Sequence, residues 1–157
     1  MKIFFLRHGL AANRADWKGD DAARPLIEEG IEKTKRTAAT LSDLDLGLEV
    51  IITSPLVRAR QTAEIVAKKL QVKLVEDARL APGFNEKKLR ALLLDHPNIN
   101  ALMVVGHEPD FSETISALIG GGRIICKKGG LALVDLPNAH SPHGELVWLI
   151  PPKVLAR

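Results

Sequence analysis

A chain of 157 residues, 46% hydrophobic and 26% charged, fits one domain, read as residues 1–157, and is long enough to bury a core without staples. The lone Cys126 excludes an intramolecular disulfide and no apolar run is long enough to span a bilayer, so the composition predicts a cytoplasmic protein with no membrane partner. The net charge of +3 comes from basic residues scattered among acids, and with 4% aromatics and no tyrosine for base stacking it argues against a nucleic-acid partner.

The opening apolar run at 2–6 predicts a strand that ends in Arg7-His8-Gly9, which delivers a cation and an imidazole to a strand's carboxyl end. In open α/β sheets, ligands bind in the crevice outside those ends. A long charged loop follows over 10–25, and such loops in compact domains are more often functional than incidental. Within it, Asn13 reads as a turn residue. A helix over 26–42 leads to a strand at 49–53 and a helix at 55–70. Ser54-Pro55 reads as an N-cap followed by proline at the first helical position, so Arg58 falls in an opening turn that also favours an anion.

Next come a strand at 72–75, a helix at 85–95, a strand at 101–106 and a helix at 109–119, the last preceded by Gly106-His107-Glu108-Pro109-Asp110. Glu108 and Asp110 read equally as helix-start carboxylates and as catalytic ones. Val50-Ile51-Ile52 and the run at 101–105 are continuously apolar rather than alternating, as in parallel strands covered on both faces. After the flexible Gly120-Gly121-Gly122, segments 131–136 and 145–150 predict an antiparallel hairpin added at a sheet edge. The expected fold class is α/β: a three-layer α/β/α sandwich with a mostly parallel sheet and that hairpin at its edge.

If the strand ends converge, Arg7, His8, Arg58 and His107, with Arg24 from the long loop, form a pocket of guanidinium and imidazole groups. Such a set suits a phosphoryl group, because arginine's fork matches its oxygens and stays charged at any working pH. An imidazole nitrogen supplies an in-line nucleophile, and neighbouring cations push histidine below its ordinary pKa of roughly 6.5, which keeps it neutral.

Arg7-His8-Gly9 after the first strand, Ser54-Pro55 with Arg58 and Gln61-Thr62, and Gly106-His107 after a later strand together resemble the histidine phosphatase superfamily, with its phosphoglycerate-mutase-like fold. Within it, the short length, Arg24-Pro25-Leu26, Leu80-Ala81-Pro82-Gly83, Gly106-His107-Glu108-Pro109-Asp110 and Lys127-Lys128-Gly129-Gly130 resemble the SixA-type phosphohistidine phosphatases. The resemblance implies that His8 is transiently phosphorylated, that Arg7 and Arg58 bind the phosphoryl oxygens and that His107 stabilises the transferred group. It implies for Arg24 an additional or entrance-side phosphate contact. Phosphomonoesterases of the superfamily usually carry an acid after the third strand, whereas residues 80–85 here hold no carboxylate before Glu86. A sugar alkoxide needs a proton to leave, and a phosphohistidine imidazole does not make the same demand. The absence therefore favours phosphohistidine unless Glu86 or Glu108 reaches in.

These readings predict a metal-independent phosphatase without a cofactor, acting on a phosphorylated protein of the histidine-phosphotransfer type. Two alternatives stand beside it: a broad phosphomonoesterase on small phosphorylated metabolites, and a non-hydrolysing phosphoprotein-binding module. His140-Ser141-Pro142-His143 is a weak metal motif, His96 reads as a helix-end partner and Cys126 as a small packing group. Lys127 and Lys128 read first as solvated charges and second as contacts for an acidic partner. A monomer is the default for a chain with no interface stripe.

Overall fold

The computed structural model describes residues 1–157. Six strands form one sheet: β1 (Lys2–Arg7), β2 (Val50–Thr53), β3 (Lys73–Glu76), β4 (Ala101–Gly106), β5 (Leu131–Asp135) and β6 (Glu145–Ile150). Their spatial order is β3-β2-β4-β1-β5-β6. The first four are mutually parallel and β5 runs antiparallel to both β1 and β6, so the hairpin closes one edge of a parallel sheet as expected from the turn between its two segments.

The helices are α1 (Glu28–Asp43), α2 (Val57–Leu70), α3 (Glu86–Leu94), α4 (Asp110–Leu118) and a short α5 (Pro152–Leu155) that the periodicity does not signal. Strand residues alternate between two cores, one on each face of the sheet. Ile3, Phe5, Ile52 and Val104 face α3 and α4 and pack with Leu89, Leu92, Phe111 and Ile115. Phe4, Leu6, Ile51 and Val105 face the other way, onto Leu41 of α1 and Ala63 and Val66 of α2. Both faces of the central strands are therefore dry, which explains the unbroken apolar runs.

All four predicted helices start one or two residues later than expected, three of them for a local reason visible in their contacts. Leu26 is held in an isolated bridge with Ala11, so α1 begins two residues later, at Glu28. Ser54 does not cap α2 in the usual sense: its hydroxyl accepts the Leu56 N–H and folds 54–56 into a turn, so α2 begins at Val57. Arg58 still lies in the opening turn. Pro109 immediately precedes α4 without a side-chain cap, and the Glu108 carboxylate two residues before that helix accepts the Ser112 N–H instead.

The order of the sheet brings β2, β4 and β1 side by side, so that the three motif-bearing strands end at one crevice. Close approach there requires glycine twice. A Cβ on Gly30 would lie 2.0 Å from the Leu10 carbonyl, where the chain leaving β1 crosses α1, and one on Gly106 would lie 2.8 Å from the Phe111 ring.

Candidate active site

The site is built outward from the end of β1. His8 is 5% exposed, and its Nδ1 lies 2.8 Å from the Gly9 carbonyl. A carbonyl only accepts, so Nδ1 carries the ring proton and Nε2 keeps a free lone pair. Burial is the largest influence on this imidazole. The Gly9 carbonyl opposes it, His107, Arg58 and Arg7 reinforce it, and the pKa is pushed down to about 3. His8 is thus a neutral imidazole with Nε2 unprotonated at any physiological pH.

Facing it at the end of β4 is His107, with ring centroids 5.4 Å apart. Burial, followed by the charge of Arg58, lowers its pKa to about 4. Its Nε2 lies 2.7 Å from the hydroxyl of Ser54, which is fully buried. That hydroxyl already accepts the Leu56 N–H, so the arrangement that satisfies both groups has Ser54 donating to Nε2. The His107 proton then sits on Nδ1, which is buried and has no partner in the protein.

The arginines follow the same pattern. Arg7 donates through Nη1 to the Cys126 carbonyl at 2.8 Å, and its Nε is buried without a partner. Arg58 donates through Nη1 to the Asp21 carbonyl at 2.8 Å and through Nη2 to the Asp21 carboxylate at 3.1 Å, and again Nε is left buried and unpaired. Burial lowers the pKa of both guanidiniums, with Glu108 opposing at Arg7 and Asp21 at Arg58. Only four buried side-chain polar atoms in the protein lack a partner, and three of them are Arg7 Nε, Arg58 Nε and His107 Nδ1. Leaving a buried donor unpaired costs about 1–3 kcal/mol, and these three belong to the residues whose charge acts on the His8 imidazole, a set suited to hydrogen-bond an oxyanion.

Arg24 sits one shell further out. Its Nε holds the same Asp21 carboxylate at 3.0 Å and its Nη1 holds the Ala12 carbonyl, so it reaches Arg58 through Asp21. Burial alone raises the Asp21 pKa, but hydrogen bonds and charge from Arg24 and Arg58 outweigh it and hold the carboxyl below its ordinary value. Asn13 makes a turn, its side chain accepting the Ala15 N–H. The two residues after Arg58 in its motif have structural work: Thr62 accepts the Gly9 N–H at 3.1 Å, and Gln61 accepts the Leu26 N–H at 2.8 Å.

Neither candidate acid is free. Glu108 accepts both the backbone N–H and the hydroxyl of Ser112, and Glu86 is paired with Arg90 at 3.0 Å on the exposed side of α3. Asp110 accepts the Gly83 and Phe84 N–H groups and so pins the segment where an acid was sought. No group of three or more His, Cys, Asp or Glu side chains is placed to hold a metal ion, and no helix is long and apolar enough to cross a membrane. Sequence reasoning missed Asp21 and the link from Ser54 to His107. Asp21-Ala22-Ala23-Arg24 places an acid three residues before an arginine, but nothing in that spacing points at Arg58.

Residues 3–82 match the family described as the histidine phosphatase superfamily, branch 1. The chain belongs to this superfamily. It is 39% identical over 140 residues to an uncharacterized protein of Picosynechococcus sp., covering 83% of this chain and 82% of that one. It is 29% identical over 129 residues to the phosphohistidine phosphatase SixA of Escherichia coli (strain K12), covering 77% and 76%. The structure of the protein histidine phosphatase SixA complexed with tungstate superimposes with a TM-score of 0.87 at 26% identity, covering 99% of each chain. The same fold, at a TM-score of 0.77 and 14% identity, is that of a mycobacterial glucosyl-3-phosphoglycerate phosphatase, covering 96% of this chain and 99% of that one. The superfamily member described here thus has a phosphatase fold whose relatives include enzymes named for protein and for small-metabolite substrates.

Proposed function

We propose that this chain hydrolyses phosphohistidine on a protein through a transient phosphohistidine at His8, without a metal. The observation that carries the reading is the set of three unpaired buried donors around a neutral imidazole whose Nε2 is free. In the first step His8 Nε2 attacks phosphorus in line, its P–N bond forms and the substrate's P–N bond breaks. The substrate's imidazole, already protonated on its other nitrogen, takes the electron pair of the broken P–N bond and leaves neutral. Arg7 Nε, Arg58 Nε and His107 Nδ1 donate to the equatorial oxygens, on which charge accumulates in the transition state. In the second step water attacks the phosphorus of phospho-His8, an imidazolium with its proton on Nδ1, the P–Nε2 bond breaks with its electron pair returning to the ring, and phosphate departs with the water's protons, leaving neutral His8.

The engagement of Glu108 with Ser112 and of Glu86 with Arg90 supports this substrate class, because an alkoxide leaving group needs an acid that these contacts withhold. The resemblance to SixA supports it as well. The test is steady-state phosphate release, with chelator present, from a histidine-phosphotransfer domain phosphorylated on its histidine and from a sugar phosphate. Wild type is expected to prefer the phosphodomain, and His8→Ala to lose at least about a thousandfold in kcat. Preference for the sugar phosphate would turn the reading to a small-molecule phosphomonoesterase, and binding without turnover would turn it to a phosphoprotein-binding module.

A further inference from the structure

The lysine pair that the sequence leaves between two meanings lies on a loop fastened to the nucleophile's own strand. Arg7 Nη1 holds the Cys126 carbonyl at 2.8 Å, and the Gly129 N–H reaches the Arg7 and His8 carbonyls at 3.1 and 3.0 Å. The Arg7 N–H in turn donates to Gly130 at 3.1 Å. Residues 120–130 carry Arg123, Lys127 and Lys128 and not one acid, and all three cations are exposed. None of them takes part in an ion pair, whereas Lys33 and Lys35 are each matched by a glutamate of their own helix.

Between these cations Ile125 is 72% exposed, an unusual place for a large aliphatic side chain. Beside it a cleft of about 220 Å³ opens between the loop and the edge strand, lined by Ile125, Lys127, Leu149 and Pro151. Leu149 is itself 44% exposed. The loop therefore offers an apolar seat flanked by unmatched positive charge, fastened through Cys126 and Gly129 to the Arg7 and His8 that end β1.

We propose that this loop and cleft, Arg123 to Lys128 with Leu149, form the docking surface for a protein whose phosphohistidine is flanked by acidic residues and an aliphatic side chain. The inference rests on the phosphoprotein reading above. A small phosphorylated molecule seated on His8 has no extent with which to use the surface. A folded domain has that extent, and charge complementarity at its rim sets encounter and orientation while the apolar seat supplies contact area.

The test uses the full chain with two substrates, a histidine-phosphotransfer domain phosphorylated on its histidine and phosphoramidate. Lys127→Gln/Lys128→Gln and Ile125→Ser alter exposed side chains, with circular dichroism as the check on folding. Lys68→Gln/Lys69→Gln, at the end of α2 remote from the site, is the charge-matched control. Each loop variant is expected to lower kcat/KM for the phosphodomain about tenfold through KM, while kcat/KM for phosphoramidate stays within about twofold. KM for the phosphodomain should rise with ionic strength in wild type, and the rise should flatten in the lysine variant. Equal losses on both substrates, no loss on either, or the same loss in the control overturn the docking surface while leaving the phosphoprotein reading intact. If wild type hydrolyses phosphoramidate but not the phosphodomain, the phosphoprotein reading itself falls and the docking surface with it.

Discussion

At the scale of single residues, the site works through proton placement. His8 and His107 both have folded pKa values, about 3 and about 4, below the unfolded value of roughly 6.5. Between those limits the unfolded chain binds more protons than the folded one, so stability rises with pH through this window. It is complete above about 6.5 and is lost as pH falls toward 4 and then 3. Wild type should lose up to about 2 kcal/mol more than His8→Asn between pH 7 and pH 5 in denaturant unfolding. Parallel losses in the two proteins would show that His8 is protonated in the folded state. Ser54 is a positioning residue in the same economy of protons, since its hydroxyl fixes the His107 proton on Nδ1. Ser54→Ala releases the ring to either tautomer and should lower kcat between about tenfold and a hundredfold with little change in KM for phosphoramidate. A variant whose KM alone rises would assign Ser54 to binding instead.

Among the elements, the segment between β1 and α1 is less a loop than a strap. Its ends are joined by the bridge between Ala11 and Leu26, with Ala12 donating to Pro25 and Ile27 to Leu10. Its middle is joined to α2 through Asp21, which holds Arg58 and Arg24 at once. Asp21→Ala removes the carboxylate that Arg24 and Arg58 share, leaves each guanidinium only a backbone carbonyl, and should destabilise the fold by about 1–2 kcal/mol, an amount discounted for the 36% exposure of the carboxylate. The same variant should raise KM for phosphoramidate about tenfold, because Arg58 loses the anchor that presents its Nε. Unchanged KM at reduced stability would make Asp21 a structural tie only. The contrast with the strand ends shows what a sequence exposes. Arg7-His8, Arg58 and His107 announce themselves because an apolar run predicts a strand, the strand predicts a crevice, and position after the run selects the residue. Asp21 follows no periodic element, and Ser54 has an obvious duty to the Leu56 N–H that hides its second contact. Pairings across the sheet order cannot be read along the chain, and neither can the start of α1, which the bridge at Leu26 decides.

For the whole molecule, the decisive fact is that sheet order and anchoring contacts bring the two histidines and the two guanidiniums to one crevice. Adjacent parallel strands deliver the two histidines and the turn before α2, both cores are dry beneath them, and the guanidiniums are already anchored by Cys126 and Asp21. On the proposed reading, an oxyanion satisfies three buried donors that the unfolded chain would expose to water, so it should bind the folded state alone and stabilise it by mass action. At a phosphate or tungstate concentration 100 times Kd this amounts to about 2.7 kcal/mol, which for a domain of this size raises Tm by about 5–10 °C. Arg58→Ala should abolish most of the shift, since it removes one donor outright and leaves the Asp21 carboxylate with Arg24 as its one hydrogen-bonded cation, less neutralised against the anion. Lys127→Gln/Lys128→Gln should keep nearly all of it, because those side chains lie outside the donor set that the anion satisfies. Thermal unfolding across a phosphate series, on wild type and these two variants, thus separates the pocket from its rim. A shift retained in Arg58→Ala would move the oxyanion site away from the three donors, and a shift lost in the lysine variant would merge rim and pocket into one electrostatic site.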